Sequence, residues 1–272
     1  MRKFINDYKK QAFAGILFIL AYFPILHWMW DRWFVRDSYY SHGVLVPFVS
    51  CFLIWQIRDK LKMIKPKESP LGLPLIIIGL VIYLLSSLFR IYFSSGLSML
   101  IVLYGMVLYF WGKEMFLKIS FPLAFLLFMV PLPEVAIVNI SFRLKMFATT
   151  LATWLLNHMR IPAVQQGSII KMPTSEVIVD DVCSGLRSLI SLMALGSIFA
   201  YWLKGPIIKR CVLFASAIPI AVITNVCRVL ILASISEIWG PQYINHFVHD
   251  GTGFVVFALA FLLLYSIGKL LE

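Results

Sequence analysis

Apolar residues in this chain fall into eight runs, covering roughly 12–30, 44–57, 71–89, 94–111, 119–133, 185–203, 207–234 and 252–268, with polar residues confined to the gaps between them. About 20 apolar residues suffice for an α-helix to cross the hydrocarbon core of a bilayer. The pattern therefore predicts an all-α membrane protein of about eight transmembrane helices. The second run is short and extends back towards Tyr39; the fifth is interrupted by Pro122, Pro131 and Pro133.

The segment 134–182 departs from simple hairpins. Its first half, "NISFRLKMFATTLATWLLNHMR", places apolar residues at helical spacing but interrupts them with Arg143, Lys145 and Asn157. That predicts an amphipathic helix lying on the outer membrane surface; a ninth, poorly apolar span is the alternative. After Pro162, Ile169-Ile170 and Val177-Ile178-Val179, separated by Pro173, predict two short strands and a turn. Residues 1–272 thus read as one transmembrane domain with 134–182 as an outer-face insertion. No internal repeat or inverted-repeat symmetry of transporter type is visible.

Composition agrees with this reading: 61% of the residues are hydrophobic and only 14% charged, against about a quarter charged in soluble domains. The net charge of +11 would suggest nucleic acid in a soluble protein. In a membrane protein, basic residues gather in cytoplasmic loops, so the expected partner is the lipid bilayer and no nucleic acid. With the N-terminus inside, 15 of the 24 Lys and Arg residues fall on the inner side with five of the 13 acids. The inner side then carries an excess of ten positive charges and the outer side one. Eight spans with both termini cytoplasmic fit that asymmetry. The basic head and apolar body of the N-terminus read as an uncleaved first span, because no small-x-small cleavage site follows.

The four cysteines, Cys51, Cys183, Cys211 and Cys227, show no CxxC or Cys/His spacing of zinc type, and neither a metal nor a cofactor is expected. Three lie in apolar runs, where a thiol behaves as a small hydrophobe. Cys183 sits among polar residues, in "DDVCSGLRS". Asp180 or Asp181 is expected to cap a helix beginning near Ser184, placing Cys183 at its N-terminus, where the helix dipole stabilises a thiolate. Arg187, at i+4, adds positive charge on the same face. An ordinary buried thiol at a helix start is the alternative.

Two further clusters fall at the same side. Arg228, in "NVCRV", lies 18 residues after Arg210, about 27 Å along a helix, near the outer end of the seventh run. Asn225 shares its face. A charge in such apolar sequence rarely faces lipid; a structural ion pair with Asp180, Asp181 or Glu237 is the bland explanation. The last cluster, "INHFVHDGTGF", holds His246, His249, Asp250, Gly251 and Gly253 at the mouth of the eighth run. A histidine there suits proton transfer near neutral pH, or simply binds interfacial water. A thiol, an arginine and a histidine from three successive outer ends make a candidate nucleophile, charge stabiliser and base.

"VCSGLRSL", "NVCRVLIL" and "HDGTGF" resemble, in order and spacing, the three signature motifs of the exosortases and archaeosortases. "YYSHG" at Tyr39–Gly43 and "PLPE" at Pro131–Glu134 also look like features of that family, and the resemblance spans nearly the whole chain. It implies a polytopic membrane cysteine protease or transpeptidase, sortase-like by convergence. Cys183 would be its nucleophile, Arg228 its arginine and His249 its histidine, with Ser184, Gly185, Arg187, Asn225 and Gly253 as supporting residues. It also implies a cytoplasmic (inner) membrane location with the site on the periplasmic face. The substrates would be C-terminal sorting tails: a short motif often built on Pro-Glu-Pro, a transmembrane helix and a basic end. The acceptor of the cleaved chain is unknown. Arg187, Lys171 or Arg143 would hold an acidic recognition residue of the tail. Cys227, beside Arg228, is a rival thiol. The competing functions are a non-catalytic component of polysaccharide or protein export, and a serine protease built on Ser184 and His249.

Overall fold

The computed structural model describes residues 2–180, 183–243 and 246–272; for residues 2–8, 246, 247, 249 and 250 it describes the backbone alone. Lipid offers no partner to a backbone N–H or C=O, so the apolar runs satisfy their own as helices. In chain order these are α1 (Arg2–Phe34), α2 (Leu45–Gln56), α3 (Arg58–Lys62), α4 (Gly72–Leu88), α5 (Tyr92–Lys118), α6 (Ser120–Phe125), α7 (Glu134–His158), α8 (Leu186–Trp202), α9 (Ile207–Trp239) and α10 (His246–Leu271). Three short strands, β1 (Val164–Gln166), β2 (Ile169–Lys171) and β3 (Glu176–Ile178), lie between α7 and α8.

The protein is an all-α, multi-pass membrane protein carrying one small sheet. Among the described residues, five helices are long and apolar enough to cross a membrane: Lys9–Phe34, Tyr92–Lys118, Glu134–His158, Ile207–Trp239 and Gly251–Leu271. Ser41–Gln56, Gly72–Leu88, Ser120–Met129 and Leu186–Trp202 are apolar but shorter. Each of the eight apolar runs thus contains helix, but not each is a full-length span. Ser120–Met129 is only about 15 Å long, half the thickness of the hydrocarbon core, and a proline pair, Pro131 and Pro133, follows it.

α7 is the segment expected as an amphipathic helix on the outer membrane surface, with a further span as the alternative. Its 25 residues meet the length and composition of a span, in agreement with the alternative of a further crossing. Ser141, Ala148, Thr149, Ala152, Thr153 and Leu156 form its buried stripe, recurring at helical spacing. Five of these six side chains are small, which lets helix backbones approach closely in a membrane protein. Ala148, Ala152 and Leu156 share a core with Val226, Val229, Leu232 and Ala233 of α9. Ala152 is fully buried there. Ala152→Leu is therefore expected to destabilise by about 1–3 kcal/mol through overpacking, read as a lower apparent Tm of the detergent-solubilised protein.

The chain forms two compact units, Met1–Pro133 and Glu134–Glu272. The boundary falls where the outer-face insertion was expected to begin. In the first unit the two family-like segments meet. The Leu132 amide donates to the Tyr40 hydroxyl at 3.1 Å, and the Trp33 indole donates to the Met129 carbonyl at 2.9 Å. Tyr40 and His42 stack with ring centroids 5.9 Å apart.

In the second unit the three strands pair antiparallel in the order β1-β2-β3. Two strands were expected. The third, β1, carries two glutamines and one valine and has no apolar alternation to reveal it. It pairs because Gly167 and Ser168 close a two-residue hairpin, with Gly167 at φ +61°. Ile170 and Val179 point into the same core as α7 and α9. α8, α9 and α10 run antiparallel in succession. α9 is 33 residues, about 50 Å, and so overshoots a hydrocarbon core of about 30 Å. Its C-terminal portion packs against β3.

Candidate active site

Helix register brings the three motifs together. The packing that sets Gly196 of α8 beside Ala217 of α9 also sets Gly185, further along, beside Asn225. The packing that sets Gly268 of α10 beside Leu213 sets Gly253 beside Arg228. The start of α8, the second half of α9 and the start of α10 therefore lie at one level. None of these residues is near another of the three helices in sequence.

Cys183 lies in the turn before α8. Its amide donates to the Asp180 carbonyl at 2.9 Å. The N-cap of α8 is Gly185, at φ +82°, and among the described residues no side chain caps the helix. This corrects the expectation that Asp180 caps a helix beginning near Ser184: the helix begins at Leu186, and Asp180 closes the preceding turn through its backbone. Asp181 lies outside the described residues. Gly185 is required twice. A side chain would be strained at its φ, and a Cβ would come 2.6 Å from Asn225 Cγ. Into the space so kept, Asn225 Nδ2 donates to the Cys183 carbonyl at 3.0 Å. Asn225 is buried, at 5% exposure, so this bond is shielded from water.

Cys183 is itself buried, in the core shared by the sheet, α7 and α9. Burial pushes its thiol above the ordinary range; the positive charge of Arg228 opposes that rise, and Asp180 adds to it. The net direction is upward, because burial outweighs the opposing charge of Arg228. Resting Cys183 is thus held as a thiol, with Arg228 as the group that favours the thiolate. Arg228→Gln is expected to slow alkylation of Cys183 by a small reagent about tenfold at pH 7 and to move the pH profile upward. The alkylated residue is identified by mass spectrometry.

Arg228 lies against α10: a Cβ on Gly253 would stand 3.2 Å from its Nη2 and 3.3 Å from its Cζ. His249 is one helical turn before Gly253, and its backbone is already helical, α10 beginning at His246. His249 thus belongs to the first turn of α10, and its side chain lies outside the described residues. Arg187 is half-buried in the first turn of α8, with Nε out of solvent.

Ser184 is buried at 2% exposure, and its hydroxyl accepts from the Leu186 amide at 3.4 Å, the local turn bond that serine favours. Cys227 is half-buried on α9, while Cys51 and Cys211 are exposed. Among the described residues, no three His, Cys, Asp or Glu side chains are grouped to hold a metal ion. Glu237, one suggested partner for Arg228, instead receives Thr174 and Ser175 of the sheet. That contact was missed in the sequence. Its one signal there was a carboxylate near the end of the seventh apolar run, where the helix dipole disfavours negative charge.

A family model described as transmembrane exosortase matches residues 28–266. This chain belongs to the transmembrane exosortase family. No curated protein and no solved structure matches it. The matched span covers both compact units of this exosortase and includes all three motif segments.

Proposed function

We propose that this exosortase is a membrane cysteine peptidase or transpeptidase. It cleaves C-terminal sorting tails of the Pro-Glu-Pro type from exported proteins at the outer face of the cytoplasmic membrane, with both termini inside. The observation that carries the reading is the meeting, at one helix level, of the buried Cys183 turn, Arg228 across from it, and the first turn of α10 that bears His249.

The tail's transmembrane helix packs laterally, so that its scissile peptide emerges beside Cys183. His249 takes the thiol proton, and the sulfur attacks the scissile carbonyl. Arg228 stabilises the charge that develops, first on sulfur and then on the carbonyl oxygen. His249 returns the proton to the departing amine, the C–N bond breaks, and the acyl group remains on sulfur as a thioester. Water or an acceptor amine then attacks the thioester and releases the thiol.

Co-expression with a tail-bearing substrate tests this. The wild type is expected to convert the substrate to a shorter form whose new C-terminus maps to the outer edge of the tail's helix. Added hydroxylamine is expected to capture the acyl group as a hydroxamate. An intact tail in the presence of folded wild type would instead favour a non-catalytic role in export.

A further inference from the structure

Glu237 lies two residues before the end of α9, where a helix exposes unsatisfied carbonyls and disfavours a carboxylate. It is compensated from outside the helix. The Thr174 amide donates to both of its carboxylate oxygens, at 3.2 and 3.3 Å. The Ser175 hydroxyl donates to Oε2 at 3.0 Å, and the Thr174 hydroxyl donates to the Glu237 carbonyl at 3.2 Å. Thr174 and Ser175 form the turn between β2 and β3. Glu237 therefore fastens the β2–β3 turn to the end of α9, in addition to the apolar packing of the sheet on that helix.

That sheet leads directly to the thiol. β3 ends at Ile178, five residues before Cys183. Val179 donates to the Ser168 carbonyl at 2.9 Å, keeping the chain on the sheet past β3, and shares the core with Ile170 and Cys183. α9 thus grips the nucleophile segment at two places, at Glu237 through the sheet and at Asn225 through the Cys183 carbonyl. These lie 12 residues apart, about 18 Å, with Arg228 between them on the same helix.

We infer that Glu237 is a positioning residue: by clasping the β2–β3 turn it sets the placement of Cys183 relative to Arg228. The inference rests on the proposed pairing of Cys183 with Arg228. Asp180, Arg187 and Arg228 are the charged groups close to the Cys183 turn among the described side chains, while Asp181 and the His249 side chain lie outside them. Of these, Arg228 and Asp180 act on the thiol with opposite signs. Loosening the clasp weakens the favourable electrostatic influence of Arg228, which is carried by α9. Asp180 is on the same segment as the thiol and moves with it.

The test is the pH profile of Cys183 alkylation by iodoacetamide in the full-length, detergent-solubilised protein. Glu237→Ala is expected to move the profile upward and slow alkylation about threefold at pH 7. Glu237→Gln, which still accepts hydrogen bonds, should restore most of the wild-type rate. Weakening the clasp from the sheet side, with Thr174→Gly and Ser175→Ala together removing its two hydroxyl donors and leaving the Thr174 amide, should move the profile in the same direction by less, without adding to the shift of Glu237→Ala. Size-exclusion elution confirms that each variant is folded. An unchanged profile in both folded clasp variants, alongside a shift in Arg228→Gln, overturns the role of Glu237 alone. If Arg228→Gln also leaves the profile unchanged, the pairing of Cys183 with Arg228 has failed instead.

Discussion

Cys183→Ala is expected to abolish tail processing, lowering it by at least about a thousandfold, since loss of a nucleophile removes the covalent route entirely. Immunoblots of a co-expressed substrate, with the variant's membrane level measured in parallel, give the readout. Cys183→Ser is expected to be almost as inactive. Its hydroxyl is far less acidic than a thiol in a position where burial already opposes the charged form. Ser184→Ala should retain processing, because that hydroxyl is engaged with the Leu186 amide. Its loss costs about 0.5–1.5 kcal/mol of stability. Cys227→Ala should also remain active, being on α9 and half-buried. Processing that survives Cys183→Ala but is lost in Ser184→Ala would establish the serine mechanism, and loss in Cys227→Ala alone would establish the rival thiol.

Among the glycines of the three motifs, Gly185→Ala is the substitution expected to cost most. The left-handed backbone charges a non-glycine residue about 1–2 kcal/mol. The new methyl group, 2.6 Å from Asn225 Cγ and 2.9 Å from its Cβ, forces a shift costing about 1–3 kcal/mol more. The obstruction lies close to the α9 backbone, so Asn225 has little freedom to swing clear without releasing the Cys183 carbonyl. A stability loss of about 2–5 kcal/mol follows, read as a large drop in apparent Tm and in folded yield. Gly253→Ala should be milder, because what it meets is the far end of the Arg228 side chain, at 3.2 Å. It is expected to alter the alkylation profile of Cys183 more than stability. Gly251→Ala, with nothing within 4 Å of the new Cβ, serves as the neutral comparison. If Gly185→Ala proves as stable as Gly251→Ala, the close fit between the Cys183 turn and α9 is not what holds that turn.

Much of the site was legible in the linear chain because membrane helices restrict where ionisable groups can stand. Arg228 and Cys183 were recognisable as residues out of keeping with their apolar neighbours, and the basic-residue asymmetry placed both at one expected depth. Asn225 was also visible, through its spacing from Arg228. Its actual partner, the Cys183 carbonyl, was not, since a backbone acceptor leaves no mark on the sequence. The capping role given to Asp180 failed for a related reason. Aspartate before a helix is a local signal, whereas the cap falls on Gly185 because Asn225, 40 residues away, occupies the space a side chain would need.

The packing face of α7 was hidden by its charges. Arg143, Lys145 and Asn157 read as the interruptions of an interfacial helix, yet the small residues from Ser141 to Thr153 recur at helical spacing and allow close packing on α9. Hydrophobic patterning tells apolar from polar; it does not tell a lipid-facing apolar surface from one that packs against another helix.

The apolar runs, their helical state and the residue types available for chemistry were settled along the chain, because a bilayer leaves the backbone only one local solution and makes every buried charge conspicuous. Tertiary packing alone decided that Gly185 faces Asn225, that Gly253 faces Arg228, and that Thr174 and Ser175 hold Glu237. Those contacts depend on helix register and close backbone approach between segments far apart in sequence, and only the assembled helices specify such distances.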